Sequence, residues 1–156
     1  VSSPLMAADT MVIVVRHAEK STDDPKDPGL SEQGQARANK LAEILKDARI
    51  SAAYATQYKR TRLTALPTAS RNGIQVEVRD ATRENANTYA VDLLKEIHKK
   101  HKGKTVLIVG HSNTVPEIVK HLTGVDVAPV GEAEFDRLYL ITLGKKPKLV
   151  SASYHP

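Results

Sequence analysis

Hydrophobic residues fall along this chain in short blocks divided by polar stretches, and the blocks alternate between two periods. Met11 to Val15 is an unbroken apolar run, the mark of a strand buried on both faces. The stretch Ser21 to Gly29 holds Pro25 and Pro28 and reads as a loop, because proline and the residue before it both resist helix. Ser31 is placed to cap a helix. Ala38, Leu41, Ile44, Leu45 and Ala48 follow at spacings of three and four, which predicts one packed helix face running to about Ala48. Ile50 to Ala55 is a short strand, Lys59 to Arg71 a helix, and Asn72-Gly73 a turn into the alternating segment Ile74 to Val78.

The second half repeats the alternation. Leu93, Leu94 and Ile97 mark a helix, Gly103 stops it, and Thr105 to Val109 is a second fully apolar strand. Val115, Ile118, Val119 and Leu122 outline a helix closed by Gly124, with Pro116 tolerated in its first turn. Leu138 to Leu143 and Leu149 to Ser153 are strands joined across Gly144-Lys145-Lys146-Pro147, a hairpin. Strands alternating with helices predict an α/β fold: a three-layer α/β/α sandwich with a mostly parallel sheet, whose ligand crevice lies beyond the carboxyl ends of the strands.

Composition narrows the picture. The chain has 156 residues, enough for one packed domain, with 40% hydrophobic and 26% charged residues, as in a globular protein. We read residues 11–156 as that domain and residues 1–10 as an N-terminal extension. The small residues around Val1 to Ala8 fit a signal-peptide remnant, a leader or an internal start at Met6, so exported or periplasmic and cytoplasmic addresses are equally open. No apolar window is long enough to span a membrane. The net charge of +5 favours anionic ligands, while one Phe and no Trp argue against a base-stacking nucleic-acid surface. The absence of cysteine removes thiolate nucleophiles and zinc-thiolate sites.

Chemistry concentrates at the strand ends. The first apolar run leads directly into Arg16-His17-Ala18-Glu19, and the run Val106 to Val109 ends on Gly110-His111-Ser112-Asn113. Two histidines at two strand ends suggest one site. The segment Tyr54 to Arg60 also leaves a strand and enters a helix, where backbone N–H groups and an arginine would suit an anion. His98 and His101 share a helix face, but the lysines around them would repel a metal cation and favour a solvated helix end. Thr114 occupies the place of the second glycine of a serine nucleophile elbow, which rules that motif out.

These residues resemble the histidine phosphatase superfamily, also called phosphoglycerate mutase-like. Arg16-His17-Ala18-Glu19 is similar to its Arg-His-Gly/Ala-Glu signature, and Leu30-Ser31-Glu32-Gln33-Gly34 to the Leu-Ser/Thr-x-x-Gly that opens its first helix. Thr56 through Arg60 to Thr64-Ala65 and Gly110-His111 match its third and fourth motifs in order. The likeness spans roughly Met11 to Ser153. It implies the phosphoglycerate mutase-like fold and a phosphatase that needs no metal or other cofactor. His17 would be the nucleophile that becomes a phosphohistidine, with Arg16, Arg60 and His111 binding the phosphoryl group. Glu19 would be a positioning residue.

The acid that protonates the leaving oxygen departs from the best-known pattern, which places a Glu in a Leu-x-Glu segment. Here the stretch runs from Arg79 to Asn87, with Glu84 the first choice, Asp80 the second and no acid the third. That departure and the short chain resemble the smaller branch containing phosphohistidine phosphatases. The implied substrate is a phosphomonoester or phosphoramidate on a small molecule or a phosphoprotein, without nucleic acid as partner and with oligomeric state open. The alternatives are a phosphomutase and a phospho-ligand binding module without turnover.

Overall fold

A computed structural model describes residues 8–156, so the small-residue stretch read as a signal remnant or leader lies, up to residue 7, outside the described residues. Ten elements follow in order: β1 (Thr10–Arg16), α1 (Glu32–Ile44), β2 (Ile50–Ala55), α2 (Lys59–Arg71), β3 (Val76–Val78), α3 (Tyr89–Lys100), β4 (Thr105–Gly110), α4 (Thr114–Thr123), β5 (Arg137–Leu143) and β6 (Lys148–Ser153). β1 begins at Thr10, one residue inside the stretch read as an extension. The strands form one sheet in the order β3-β2-β4-β1-β5-β6. β3, β2, β4 and β1 run parallel, and β5 and β6 add antiparallel, as a hairpin requires.

Both faces of the sheet are covered, and β1 shows how. Val12 and Val14 pack with Leu93 and Ile97 of α3 and Ile118 and Val119 of α4. Their alternates Ile13 and Val15 pack with Leu41 of α1 and Ala65 and Ala69 of α2. An unbroken apolar run is thus the signature of a central strand whose side chains enter two cores. The chain leaves β1 through α1 and α2 on one face, then returns to β4 through α3 on the other. β4 thereby lies beside β1, and the crevice opens at their carboxyl ends.

Three expectations need correction. α1 ends at Ile44 rather than near Ala48: the N–H of Lys46 turns to the Glu43 carbonyl at 3.2 Å and that of Ala48 to Leu45 at 3.0 Å, tightening the chain into a turn. Arg49, at φ 53°, completes the reversal into β2 without a glycine to signal it. Ile44 is 45% exposed. At about 100° per residue it falls on the far side of Leu41 from Ala38 and Leu45, outside the stripe that packs. The third strand is Val76–Val78 and excludes Ile74, whose N–H bonds the Ala69 carbonyl of α2 at 3.0 Å instead of joining the ladder.

Candidate active site

The register of two neighbouring strands brings the two histidines together. Arg16 of β1 pairs with Gly110 of β4, and the next N–H, that of His17, donates to the Gly110 carbonyl at 2.9 Å. Each strand therefore delivers its histidine at the same height, and the rings stand 5.5 Å apart, edge to face. Gly110 is needed there: a Cβ would lie 2.7 Å from the Thr114 hydroxyl, which accepts the His111 N–H at 2.9 Å and starts α4.

His17 is 4% exposed, and its Nδ1 lies 2.8 Å from the Ala18 carbonyl. A carbonyl only accepts, so Nδ1 carries the hydrogen and Nε2 keeps its lone pair. Burial pushes this imidazole down to about 3, outweighing the raising effect of the Ala18 bond, while Arg16, His111 and Arg60 add to the fall. At neutral pH His17 is uncharged and held in one orientation, with the Nε2 lone pair unprotonated.

His111 is fixed from its other side by a chain of hydroxyls. Its Nε2 lies 2.9 Å from Thr56 Oγ1, which lies 3.0 Å from Thr61 Oγ1. The Thr61 hydroxyl donates to the Tyr58 carbonyl at 2.8 Å, so it has no hydrogen left for Thr56. Thr56 must donate to Thr61, and His111 Nε2–H must donate to Thr56. Burial, then Arg60 and Arg16, pushes the His111 imidazole down to about 4. A bound anion opposes that shift and favours the imidazolium.

Two guanidiniums complete the group. Arg16, 8% exposed, sends Nη1 to the carbonyls of Gly131, Glu132 and Glu134 at 3.0, 2.9 and 2.7 Å and lies 4.1 Å over the Phe135 ring. Burial is the largest influence on its pKa, which lies below the ordinary arginine value. Arg60 lies 4.5 Å over Tyr58, whose ring meets His111 at 5.3 Å. Thr64 ties the α2 turn to β1: it accepts the Ala18 N–H at 2.9 Å and donates to the Arg60 carbonyl at 2.7 Å. The Nε atoms of both Arg16 and Arg60 are buried without a hydrogen-bond partner. Buried, unmatched N–H groups beside two histidines form a site prepared for an oxyanion.

The backbone of the Tyr54 to Arg60 segment offers less to an anion than its sequence suggests. The N–H of Thr56 donates to Thr61 Oγ1 at 3.1 Å, that of Tyr58 to Thr56 Oγ1 at 3.4 Å and that of Lys59 to Asp27 at 3.0 Å. Arg60 is what this segment contributes. Glu19 leaves the site by pairing with Arg37 of α1 at 2.7 and 3.1 Å, and Arg37 also donates to the Tyr154 carbonyl at 2.6 Å.

Arg60 and His111 line a cavity of about 650 Å³ between the Ala81 to Val91 segment and α4. Glu84 and Asp80 are exposed and neither is a lining residue. The structure brings Arg16, His17, Arg60 and His111 together and leaves Glu84 outside. The cavity's carboxylate is Glu117, which was not considered from the sequence; it stands in the first turn of α4, where a Glu is favourable to the helix dipole and carries no catalytic signal of its own. Also missed were the hydroxyl of Thr61, which no local pattern marks, and the carbonyls of Gly131, Glu132 and Glu134 that hold Arg16, whose role no side chain betrays.

The Histidine phosphatase superfamily (branch 1) pattern matches residues 12–91. Phosphoserine phosphatase 1 of Hydrogenobacter thermophilus is 26% identical over 164 residues, covering 75% of this chain and 78% of that protein. In fold, the chain is similar to the protein histidine phosphatase SixA complexed with tungstate, with a TM-score of 0.73 at 16% identity over 92% of this chain and 96% of that one. It is similar also to the mycobacterial glucosyl-3-phosphoglycerate phosphatase complexed with inorganic phosphate, with a TM-score of 0.67 at 15% identity over 94% and 97%. With its sheet order and the matched segment in place, the chain belongs to the histidine phosphatase superfamily, branch 1, and is a phosphatase of that superfamily.

Proposed function

We propose that this phosphatase hydrolyses its substrate through a phosphohistidine on His17, with Arg16, Arg60 and His111 holding the phosphoryl group. The observation that carries the reading is the tautomer of His17: the Ala18 carbonyl holds hydrogen on Nδ1 and burial keeps the ring neutral, so the Nε2 lone pair is free to attack. In the first step Nε2 bonds to phosphorus as the bond to the leaving atom breaks, and the leaving group takes a proton. In the second, water attacks phosphorus, the N–P bond breaks, and phosphate departs with His17 restored.

The negative charge on the phosphoryl oxygens is met by the unmatched N–H groups of the two arginines and by His111, which gains a proton as the anion enters. Positive charge from side chains serves the role that a metal fills elsewhere, so turnover survives chelation. Tungstate and phosphate, the ions in two of the solved relatives' complexes, are tetrahedral oxyanions of the shape this cluster suits. The leaving oxygen receives its proton in the cavity, where Glu117 is the carboxylate and Glu84 is absent from the lining. Phosphoramidates and activated phosphomonoesters, which need least help at that step, are the expected best substrates.

The experiment is turnover of p-nitrophenyl phosphate with chelator present, with acid-quench trapping of labelled phosphate on the chain. Wild type should turn over and trap label, and His17→Ala should lose at least about a thousandfold, on the scale of losing a nucleophile. Tight phosphate binding without turnover would instead establish the binding module, and transfer between two positions of one substrate the phosphomutase.

A further inference from the structure

The chain has five Tyr, one Phe and no Trp. Four of the tyrosines, Tyr54, Tyr89, Tyr139 and Tyr154, belong to the two cores that flank the sheet. The fifth, Tyr58, and the one Phe, Phe135, are half-buried outside both cores, and each lies beneath an arginine of the site. The guanidinium carbon of Arg16 stands 4.1 Å from the centre of the Phe135 ring, and that of Arg60 4.5 Å from the centre of the Tyr58 ring. In a chain so poor in aromatics, a large ring kept out of the core has its reason at the site.

The other arginines supply the contrast. Arg37, buried to the same degree as Arg16, pairs with Glu19 at 2.7 Å; Arg79 pairs with Glu77 and Glu96, and Arg137 with Glu134, each at 2.8 Å. Arg37 and Arg79 also approach rings, at 5.3 Å from Tyr154 and 5.5 Å from Tyr54, but from farther away and with a carboxylate already bound. Among the described residues neither Arg16 nor Arg60 forms an ion pair. Glu132 and Glu134 give Arg16 their backbone carbonyls, not their carboxylates. A contacting carboxylate would cancel a guanidinium's charge and take the N–H groups that an anion needs. A ring face attracts the cation through its quadrupole but offers no lone pair to the N–H groups in the guanidinium plane, so both charge and donors remain.

The rings also fix where the cations stand. Tyr58 meets His111 at 5.3 Å, His111 meets His17 at 5.5 Å, and His17 meets Phe135 at 6.0 Å. Arg60, Tyr58, His111, His17, Phe135 and Arg16 thus form one arc, with the two imidazoles at its middle and a cation at each end. We propose that Tyr58 and Phe135 are positioning residues for the phosphoryl group: their ring faces hold Arg60 and Arg16 in place of carboxylates and keep both cations uncompensated until an anion enters. This rests on the reading of Arg16 and Arg60 as phosphate ligands and adds what holds them.

The test uses the single Phe. Expression in a phenylalanine auxotroph supplied with mono-, di- or trifluorophenylalanine alters residue 135 alone in this chain, and added fluorine drains charge from the ring face while changing its shape little. Tungstate is the probe and calorimetry the readout. Its binding needs no covalent step, and it carries no leaving group, so a loss of affinity reports the cations. Affinity should fall stepwise with fluorine content. Phe135→Leu and Tyr58→Leu should each weaken tungstate by about three- to thirtyfold, the reach of one cation–π contact, whereas Phe135→Tyr and Tyr58→Phe should stay within about twofold of wild type. Affinity indifferent to fluorine, Leu and aromatic variants weakened alike, or losses that vanish once affinity is referred to folded protein would each overturn the assignment. Should a Leu variant not fold, the fluorine series still decides. If Arg16→Ala and Arg60→Ala leave tungstate affinity unchanged, the phosphate-ligand reading fails and this inference falls with it; arginine-dependent binding that ignores the rings sinks this inference alone.

Discussion

Thr56 has one hydroxyl hydrogen, and Thr61 receives it. That leaves Thr56 as an acceptor for His111 Nε2–H, so a fully buried threonine decides which nitrogen of the second histidine carries hydrogen. Thr56→Val keeps the shape and removes the acceptor. The expected result is a folded protein, less stable by about 1–2 kcal/mol from the unpaired groups left behind, with kcat lowered by about ten- to a hundredfold. Circular dichroism checks the fold, and steady-state kinetics should locate the loss in kcat more than KM. Thr56→Ser, which restores the hydroxyl, should recover most of it.

At the scale of elements, the start of α1 is pressed against the exit of β1. A Cβ on Gly34 would lie 2.2 Å from the Glu19 carbonyl oxygen, and Ser31, the cap of α1, donates its own N–H to that carbonyl at 2.9 Å while accepting the Gly34 N–H on its side chain at 3.1 Å. Gly34→Ala forces helix and strand exit apart although neither residue reaches the cavity. We expect a loss of about 1–3 kcal/mol in chemical denaturation and a fall in activity larger than the loss of folded protein explains.

The same region shows what a sequence discloses. Ser31, the two apolar strands and the helix of Val115, Ile118, Val119 and Leu122 were legible because periodicity and capping are local properties. The grouping of Arg16, His17, Arg60 and His111 followed from recognisable motifs at strand ends. The reason for Gly34, the partner of Glu19 in Arg37 and the carbonyl cup around Arg16 were not legible, since each depends on a contact between distant segments. Glu84 was chosen because the stretch Arg79 to Asn87 stands where the family resemblance places the acid; its side chain is exposed and does not line the cavity.

For the molecule as a whole, two imidazoles buried neutral tie stability to pH. Their folded pKa values, about 3 and about 4, lie below the ordinary histidine value, so the unfolded chain binds more protons as pH falls. The stability that this neutrality contributes is fully present above pH ~6.5 and is lost progressively as pH falls toward 4 and then 3. Denaturation at pH 7 and pH 5 should show a drop of a few kcal/mol at the lower pH, on the order set by the size of these shifts. Phosphate or tungstate should reduce it, because an anion favours protonated His111, and His111→Asn should shrink the pH dependence itself.

The pairing of Arg16 with Gly110 has a wider consequence. The spacing of the two imidazoles is set by a backbone ladder at the centre of the sheet, whereas the far wall of the cavity comes from residues 81–91. Under the proposed function, the reacting groups and the far wall of the cavity thus come from separate parts of the chain. Exchanging the wall for a foreign sequence should, on that reading, change which phosphorylated substrates are accepted while the two imidazoles keep their spacing, a route to new specificities from one scaffold.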